Sequence, residues 1–413
     1  MLGGQGIRLF LQAIYFLLIG RALGAGQYGA FIGAVSLVAL VAPFCGWGTG
    51  FLLLKEVARN REAISRCWGR ALGVIAISGC LLVGIVLLLS QAFWKGSVPL
   101  KVLLPVAIAD GIMVRIIDVA AQAFLAVEIP RKCAEIYVIL SVARTSAAIY
   151  LGLIVPSPTS VSWSLLYVIG TSAAAIYSIV AVTRFVGPIK LGLHLSGSEW
   201  KEGFYFAVSQ SSQTAYNDVD KTMLVRFGGL QATGIYGAAY RIVDISFAPL
   251  GALVLTTLAR FFRHGESGIA GSAGFAKRLL PYAASYGLFA AVFLFVASPI
   301  LPKLLGAGFE QATVALQWLS PLVFLKSIHY FFANSLSGAG FQGFRASIQI
   351  GIVAFNIGLN FWLIPAYSWR GAAWASLASD GALAICLLGA ILALGRREVI
   401  SEDSRAIEPS VIS

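Results

Sequence analysis

The sequence is poor in charge. Only 12% of its 413 residues are charged, whereas 58% are hydrophobic and the mean hydropathy is +0.84. A soluble domain usually carries about 25% charged residues, so a soluble protein is excluded. Apolar runs of roughly 20 residues, long enough to cross a bilayer as helices, recur along almost the whole chain. The composition therefore predicts an all-α integral membrane protein.

Reactive and metal-binding residues are also scarce. The five cysteines show no paired or metal-like spacing, and of the three histidines one, His329, lies in an apolar run. A nucleotide-binding P-loop is missing, and so is a serine or cysteine beside a plausible base. We therefore expect no enzyme activity, no cofactor and no metal. For His329 a hydrogen-bonded packing role is favoured over a proton relay.

The apolar runs predict twelve membrane spans. The first run begins close to Met1 without a charged segment or a cleavage site, so it is interpreted as an uncleaved helix. The spans cover residues 5–23, 29–54, 71–92, 102–126, 134–155, 161–185, 203–225, 235–258, 279–300, 312–338, 344–366 and 371–395.

Basic residues orient these spans. The loops after even-numbered spans carry most of the lysine and arginine, including the run from Lys55 to Arg70 and the pair Arg396 and Arg397. Because such loops stay in the cytoplasm, both termini are predicted to be cytoplasmic. The net charge of +12 is then mainly a topology signal. Nucleic acid is not an expected partner, whereas membrane lipids are.

An internal repeat divides the chain. The segment "RALGAGQYGAF" from Arg21 resembles "RFGGLQATGIYGAAY" from Arg226, and both reach a Tyr-Gly pair, Tyr28-Gly29 and Tyr236-Gly237, 208 residues apart. Each segment follows the first span of a six-span block. Two blocks with an even number of spans enter the membrane from the same side, so a parallel pseudo-two-fold axis along the membrane normal should relate them.

The repeat predicts two six-helix lobes around a central cleft. The N-terminal lobe takes residues 1–186 and the C-terminal lobe takes residues 203–395. A cytoplasmic linker, 187–202, joins them, and a short polar tail, 396–413, is expected to be disordered. Repeats of this kind are frequent in transporters because one lobe can rock against the other.

Ionisable residues inside the spans are the main functional signal. Burying one at the centre of a bilayer costs about 2.5 kcal/mol or more unless it faces a partner or water. The spacing of Arg115 with Asp118 and of Arg241 with Asp244 predicts internal ion pairs. The complete set comprises six of the seven aspartates, Asp110, Asp118, Asp218, Asp220, Asp244 and Asp380, and six bases, Arg8, Arg115, Arg144, Lys221, Arg241 and Lys326.

The stretch "SQSSQTAYNDVDK", residues 209–221, differs from a simple ion pair. On a helical period a polar stripe runs along one face, with Asp218 beside its last member, whereas Asp220 points away and is expected to contact another helix. A helix that lines an aqueous cleft is favoured. The alternative is hydrogen bonding within a packed bundle. The stripe consists of Gln210, Gln213, Thr214, Asn217 and Lys221.

Four segments, in order along the chain, resemble a known family. They are "RALGAGQYGAF" at 21–31, "NDVDKTMLVRFGGLQATGIYGAAYRI" at 217–242, "LPKLLGAGFEQATVALQWLSP" at 301–321 and "NIGLNFWLIPAYSWRGAAWASLASDG" at 356–381. Together they resemble the O-antigen and polysaccharide flippases of the multidrug, oligosaccharidyl-lipid and polysaccharide (MOP) exporter superfamily. The resemblance covers nearly the entire chain.

The resemblance implies a bacterial inner-membrane flippase. Its substrate would be an undecaprenyl-diphosphate-linked oligosaccharide repeat unit, and other polysaccharide-assembly proteins are expected partners. Lys221, Arg144 and Lys326 are then candidates to meet the diphosphate in the cleft, while the amides and hydroxyls of the stripe would meet sugar hydroxyls. Coupling to a proton or sodium gradient would use Asp218, with Asp110 and Asp380 as further candidates.

Two alternatives stay open. A cation-coupled drug or small-molecule exporter of the same superfamily would have the same fold. It gains weight if Lys221, Arg144 and Lys326 turn toward lipid or pair with neighbours. A membrane enzyme that polymerises or ligates glycans would need a sizeable outer loop, and the loops after odd-numbered spans are short.

Overall fold

The computed structural model describes the backbone of residues 2–186, 192, 196–306 and 308–406, and every regular element in these ranges is helical. In chain order the helices are α1 (Leu2–Val41), α2 (Thr49–Arg59), α3 (Ile64–Trp94), α4 (Leu100–Ile108), α5 (Val114–Ala126), α6 (Pro130–Ile154), α7 (Ser160–Val186), α8 (Gly197–Phe227), α9 (Leu230–Gly265), α10 (Gly268–Ala297), α11 (Ile300–Leu305), α12 (Ala312–Leu319), α13 (Pro321–Gly338), α14 (Gln342–Tyr367) and α15 (Trp369–Ala406).

The helices carry the surface of a membrane protein. Within the described residues, eight helices are long and apolar enough to cross a membrane. Large apolar side chains cover their outer faces, and Leu88, Leu153, Trp362 and Ile385 each expose 72–79% of their area. Water would oppose this exposure, at a cost of about 25 cal/mol per Å² of apolar surface, whereas lipid does not.

Each predicted span coincides with a helical stretch, but some stretches are interrupted. Gly24 (φ 68°) kinks α1 between the first two spans. A break at residues 42–48 divides the second span, and a π-turn, Ala109–Met113, divides the fourth. Pro321 starts α13 directly after α12. Proline and glycine account for most of these interruptions because one lacks an N–H and the other adopts left-handed backbone angles.

The ends of two helices differ from expectation. Helix α8 begins at Gly197, within the predicted linker, because Ser196 and Glu199 form a reciprocal capping box. Helix α15 continues to Ala406, into the predicted tail, over a segment rich in good helix formers. The remaining parts of these two predictions, residues 187–191 and 193–195 of the linker and 407–413 of the tail, lie outside the described residues.

The chain forms two compact units. Unit 1 contains residues Met1–Gly237 and Pro302–Glu310, and unit 2 contains Ala238–Leu301 and Gln311–Ser413. Helix α8 and the start of α9, which the repeat assigns to the C-terminal lobe, thus group with unit 1. The lobe boundaries at 186 and 203 stay a prediction.

In unit 1 the two repeated Tyr-Gly segments pack against each other. A Cβ added at Gly29 would overlap the carbonyl oxygen of Leu230, and one added at Gly234 would overlap that of Ala25. Glycine therefore allows the two backbones to touch. The tyrosines of both segments, Tyr28 and Tyr236, are fully buried.

Unit 2 has its own apolar core. Phe261 of α9 packs edge-to-face against Phe275 of α10 and lies near Phe331 of α13. A hydrogen bond from Ser272 Oγ to the carbonyl oxygen of Ser335, 2.9 Å, also joins α10 to α13. The close packing of these helices fixes the side chains of α13.

Candidate functional site

The polar stripe of α8 runs from an exposed end to a buried end. Gln210 and Gln213 are exposed, Thr214 and Asn217 are half-buried, and Lys221 is buried. The short hydroxyl and amide groups bond to their own helix: Thr214 Oγ1 to the carbonyl oxygen of Gln210 at 3.0 Å and Asn217 Nδ2 to that of Gln213 at 3.1 Å. Thr214 and Asn217 thus satisfy part of their hydrogen bonding within α8. The side-chain amides of Gln210 and Gln213 are exposed and accessible to a ligand.

Lys221 ends the stripe in an ion pair. Its Nζ donates to Asp218 Oδ1 at 2.7 Å and to the carbonyl oxygen of Asn217 at 2.6 Å, and it lies 4.0 Å from Asp220 Oδ1. The side chain of Asp218 keeps 28% of its area exposed, whereas that of Lys221 keeps 9%. The predicted proximity of Lys221 and Asp218 is confirmed.

Asp220 contacts another helix, as predicted. It is 3% exposed, and its carboxylate accepts a hydrogen bond from the hydroxyl of Tyr236 in α9 and one from the backbone N–H of Lys221 at 2.6 Å. These bonds compensate for the loss of water around a buried carboxylate.

A second cluster lies deeper in unit 1, around Asp110. Arg144 Nη2 donates to Asp110 Oδ1 at 2.8 Å, and the hydroxyl of Tyr167 donates to both carboxylate oxygens at 2.8 and 3.0 Å. The guanidinium also lies over the ring of Tyr167, 4.1 Å from its centroid, and donates to Thr171 Oγ1 at 3.1 Å. Two residues predicted separately thus form one half-buried ion pair, in which each charged group has a partner.

The backbone around Asp110 is unusual. Residues Ala109–Met113 form a π-turn between α4 and α5. Such a turn inserts one residue into a helix and is found frequently at functional sites. It also turns Asp110 toward Arg144, which lies 34 positions away in the sequence. Neither the turn nor the pairing is visible in the hydropathy pattern.

Gln210 belongs to a different part of unit 1, a cavity of about 280 Å³. Arg115 and Asp118 lie on its wall, 3.2 Å apart, and the hydroxyl of Tyr137 donates to Asp118 at 2.9 Å. The predicted Arg115–Asp118 pair is confirmed. The cavity itself, and with it Thr49 and Gln122, was not predicted, because isolated polar residues in apolar runs are usually explained as contacts between helices.

Unit 2 holds the other two candidates. Lys326 Nζ donates to the hydroxyl of Tyr240 at 3.0 Å, lies 4.7 Å from the centre of that ring, and is 3.7 Å from Asp244 Oδ1. Asp244 therefore has a partner in Lys326 that its spacing from Arg241 did not indicate. Asp380 Oδ1 and His329 Nε2 are 2.8 Å apart, and both residues are buried.

The candidate cations thus share one feature: each lies beside an aspartate. Lys221 pairs with Asp218, Arg144 with Asp110, and Lys326 lies near Asp244. An anion that approached one of them would compete with a carboxylate already in place.

A network of charges also connects helix ends at the membrane surface predicted to be cytoplasmic. Arg70 of α3 reaches Glu56 of α2 at 2.9 Å and Glu199 of α8 at 2.8 Å. Partial burial alone would raise the pKa of Glu199, but hydrogen bonds from Ser196 and the positive charge of Arg70 outweigh it, so that the pKa lies below its ordinary value. Lys55 and Glu202, 2.6 Å apart, add a second link between α2 and α8.

The fold is that of transporters of the MOP superfamily. A multidrug-resistance transporter of the MATE family in its inward-facing conformation has 14% identity, with 94% of this chain and 98% of that chain covered and a TM-score of 0.77. The outward-facing conformation of a MATE transporter, 14% identical, gives a TM-score of 0.63 with 94% of both chains covered. A MOP-superfamily transporter from Pyrococcus furiosus, 12% identical over 94% of both chains, gives 0.64. No curated protein sequence matches the chain.

Within this class, the chain belongs to a family of polysaccharide biosynthesis proteins, whose model matches residues 1–258. The match covers α1 to α8 and most of α9, including both Tyr-Gly segments, the polar stripe and the Asp110 cluster.

Proposed function

We propose that the protein is a flippase that moves undecaprenyl-diphosphate-linked oligosaccharide repeat units across the bacterial cytoplasmic membrane. The observation that carries the proposal is the polar stripe of α8, which stays exposed at Gln210 and Gln213 in a chain of the polysaccharide biosynthesis family. An exposed amide would be unfavourable against lipid and favourable against a hydrated glycan.

The parts of this substrate suit different parts of the protein. Sugar hydroxyls need donors and acceptors such as the amides of Gln210 and Gln213. The diphosphate needs a positive group, for which Lys221, Arg144 and Lys326 are candidates. The polyprenyl chain can stay in the lipid. On the predicted topology, alternating access of the two lobes would carry the sugars across.

The aspartates beside these cations offer a way to couple transport to protons. Coupling to a proton or sodium gradient would use Asp218. The diphosphate at Lys221 would displace this carboxylate from its cationic partner, and release of the diphosphate would let the Lys221–Asp218 pair form again. Asp110 and Asp380 can act in the same way beside Arg144 and His329.

A second function is favoured by one observation. Each candidate cation is paired with or close to an aspartate, and such pairing fits an exporter of drugs or other small molecules, whose site needs no positive group for a phosphate. The two functions differ in what Lys221 contacts during transport, and this difference can be tested.

The test compares four variants in a strain deleted for the gene: Lys221→Ala, Asp218→Ala, the exchanged pair Lys221→Asp with Asp218→Lys, and Lys201→Ala. If Lys221 binds the diphosphate, the first two variants lose surface glycan and the exchanged pair does not restore it. If the pair is only structural, the exchange restores glycan. Lys201, an exposed residue of the same helix, serves as the matched control and should leave glycan unchanged.

Reconstitution separates the flippase from the exporter. Proteoliposomes that contain the purified protein should move fluorescent lipid-linked oligosaccharide, prepared from the deletion strain, to the opposite leaflet. They should not transport a cationic dye such as ethidium. If the dye is transported and the lipid-linked oligosaccharide stays in its original leaflet, the result would contradict the proposed function and support the exporter.

A further inference from the structure

The cavity in unit 1 has a wall built from a broken helix. Between α1 and α2 the chain leaves the helical conformation, and Gly46, Trp47 and Gly48 have φ angles of 78°, 49° and 69°. The N–H of Gly46 is bonded to Ser78 Oγ at 2.8 Å. Non-helical backbone at membrane depth occurs only where it is buried in protein or lines a cavity. Here Gly46 and Gly48 line the cavity.

Three side chains of this wall each carry one polar atom that is buried without a hydrogen-bond partner among the described residues: Thr49 Oγ1, Arg115 Nε and Gln122 Oε1. An unsatisfied buried polar atom costs about 1–3 kcal/mol, so such atoms are rare. The three residues come from α2 and α5 and line the same cavity, although the atoms themselves have almost no accessible surface. A small rotation of these side chains toward a polar ligand in the cavity would satisfy the atoms without breaking a bond that they already make.

The charges of the wall favour a neutral ligand. The guanidinium of Arg115 is compensated by the carboxylate of Asp118, 3.2 Å away, and both line the cavity. An anion at Arg115 would have to displace this carboxylate, which is also held by the hydrogen bond from the hydroxyl of Tyr137 at 2.9 Å. The unpartnered atoms comprise a donor, an acceptor and a hydroxyl that can do both. A group of hydroxyls matches this mixture because each hydroxyl also donates and accepts.

Three aromatic side chains also contribute to the wall. Tyr137, Phe51 and Phe206 line the cavity, and the last two rings stack with centroids 5.0 Å apart. A sugar ring presents C–H groups on its faces and hydroxyls on its edge, so it can satisfy both kinds of wall at once. The volume, about 280 Å³, lies just below the 300–1,000 Å³ range of pockets for drug-sized ligands and suits one or two sugar rings.

We infer that this cavity binds a neutral sugar ring, with its hydroxyls bonded to Thr49, Arg115 and Gln122. The inference rests on the proposed function for the source of the sugar, which would be the oligosaccharide of the lipid-linked substrate. On the predicted topology the cavity lies in the cytoplasmic half of unit 1, where the substrate would enter. The glycan would then be recognised at a site separate from Lys221.

The experiment measures binding directly, by saturation-transfer NMR on the purified full-length protein in detergent. The probes are the methyl glycosides of glucose, galactose, mannose, rhamnose and N-acetylglucosamine, with methyl glucuronide and inorganic pyrophosphate as anionic competitors. We expect transfer to at least one neutral glycoside and no displacement of it by pyrophosphate. The inference would be overturned if none of the neutral glycosides showed transfer, which would mean that the cavity holds only water. It would also be overturned if pyrophosphate displaced a bound glycoside.

Two variants locate the binding. Gln122→Leu and Thr49→Val each remove one unpartnered polar atom with little change in volume, and each should weaken glycoside binding about tenfold. Gln91→Leu and Thr256→Val make the same changes at exposed positions outside the cavity and should bind as the unaltered protein does. Equal binding in all four variants would place the sugar elsewhere and contradict the inference.

Surface glycan distinguishes this inference from the proposed function. If the protein is a flippase but the cavity does not recognise sugar, Gln122→Leu restores full glycan to the deletion strain and binds glycosides normally. If the cavity binds sugar but the protein is not a flippase, the cavity variants lose glycoside binding while purified protein fails to move lipid-linked oligosaccharide.

Discussion

At the residue scale, Asp220 and Tyr236 show how the chain keeps a charge inside a membrane protein. The carboxylate is 3% exposed, and the hydroxyl of Tyr236, fully buried in α9, is one of its hydrogen-bond donors. Tyr236→Phe removes this donor and leaves the ring in place. We expect a loss of about 1–3 kcal/mol in the free energy of unfolding, seen as a lower melting temperature in detergent. Tyr150→Phe, at an exposed position, is the control, and equal melting of the two variants would contradict a structural role for the pair.

The residue scale also shows what the sequence could predict about the candidate site. The Lys221–Asp218 and Arg115–Asp118 pairs follow from a spacing of three on one helix. The Arg144–Asp110 and His329–Asp380 contacts join residues 34 and 51 positions apart. Such contacts depend on how helices pack, which hydropathy and periodicity do not specify. Thr49 and Gln122 had no distinguishing signal, since a single polar residue in an apolar span has many ordinary explanations.

At the scale of elements, helical stretches were easier to predict than their interruptions. Each predicted span coincides with helix. Within the described residues eight helices are long and apolar enough to cross a membrane, so the twelve-span layout stays a prediction. The π-turn at 109–113 has no signal in the hydropathy pattern. The break at 42–48 includes a hydrogen bond from Gly46 N–H to Ser78 Oγ of α3, 32 positions away, which depends on how the helices pack. Pro43 is compatible with a bend, but it does not by itself specify three consecutive residues with positive φ angles.

The close contact between the two Tyr-Gly segments predicts that a larger side chain at the contact lowers the stability of the protein. Gly234→Ala places a methyl group against the backbone carbonyl oxygen of Ala25, which cannot move without moving α1. Overpacking of this kind costs about 1–3 kcal/mol. We therefore expect a lower melting temperature in detergent. Gly26→Ala lies in the opposite Tyr-Gly segment, next to Ala25, and its added methyl group meets nothing within 4 Å. This control should melt normally, and equal melting of both variants would rule out close packing at Gly234.

The capping box of α8 predicts a dependence on pH. Glu199 has a pKa below its ordinary value of 4.5 in the folded protein. Its contribution to stability is thus present above about pH 4.5 and is lost as the pH falls through the lower, folded-state pKa. Glu199→Gln should therefore reduce the decline in melting temperature between about pH 5 and about pH 3. Glu266→Gln, an exposed carboxylate, is the control, and a decline that persists unchanged in Glu199→Gln would show that other groups cause it.

At the scale of the whole molecule, the open question is whether the polar helix α8 crosses the membrane. Within the described residues, eight helices are long and apolar enough to cross a membrane, and α8 is not one of them. The predicted topology of twelve spans with cytoplasmic termini nevertheless requires α8 to cross. A helix that carries Lys221, Asp218 and Asp220 can do so because its buried charges are paired and its exposed amides would face a hydrated substrate rather than lipid. If α8 crosses, Ser198 near its start and Gln231, at the start of α9, lie on opposite sides of the membrane.

Cysteine labelling in intact cells tests this crossing. In a variant whose five native cysteines are replaced, Gln231→Cys should react with a membrane-impermeant maleimide in intact cells. Ser198→Cys should react only after the membrane is permeabilised. Both positions are exposed, so a difference in reactivity reports the side of the membrane rather than burial. Labelling of both positions on the same side would mean that α8 does not span, which would remove the parallel repeat and, with it, the alternating-access mechanism.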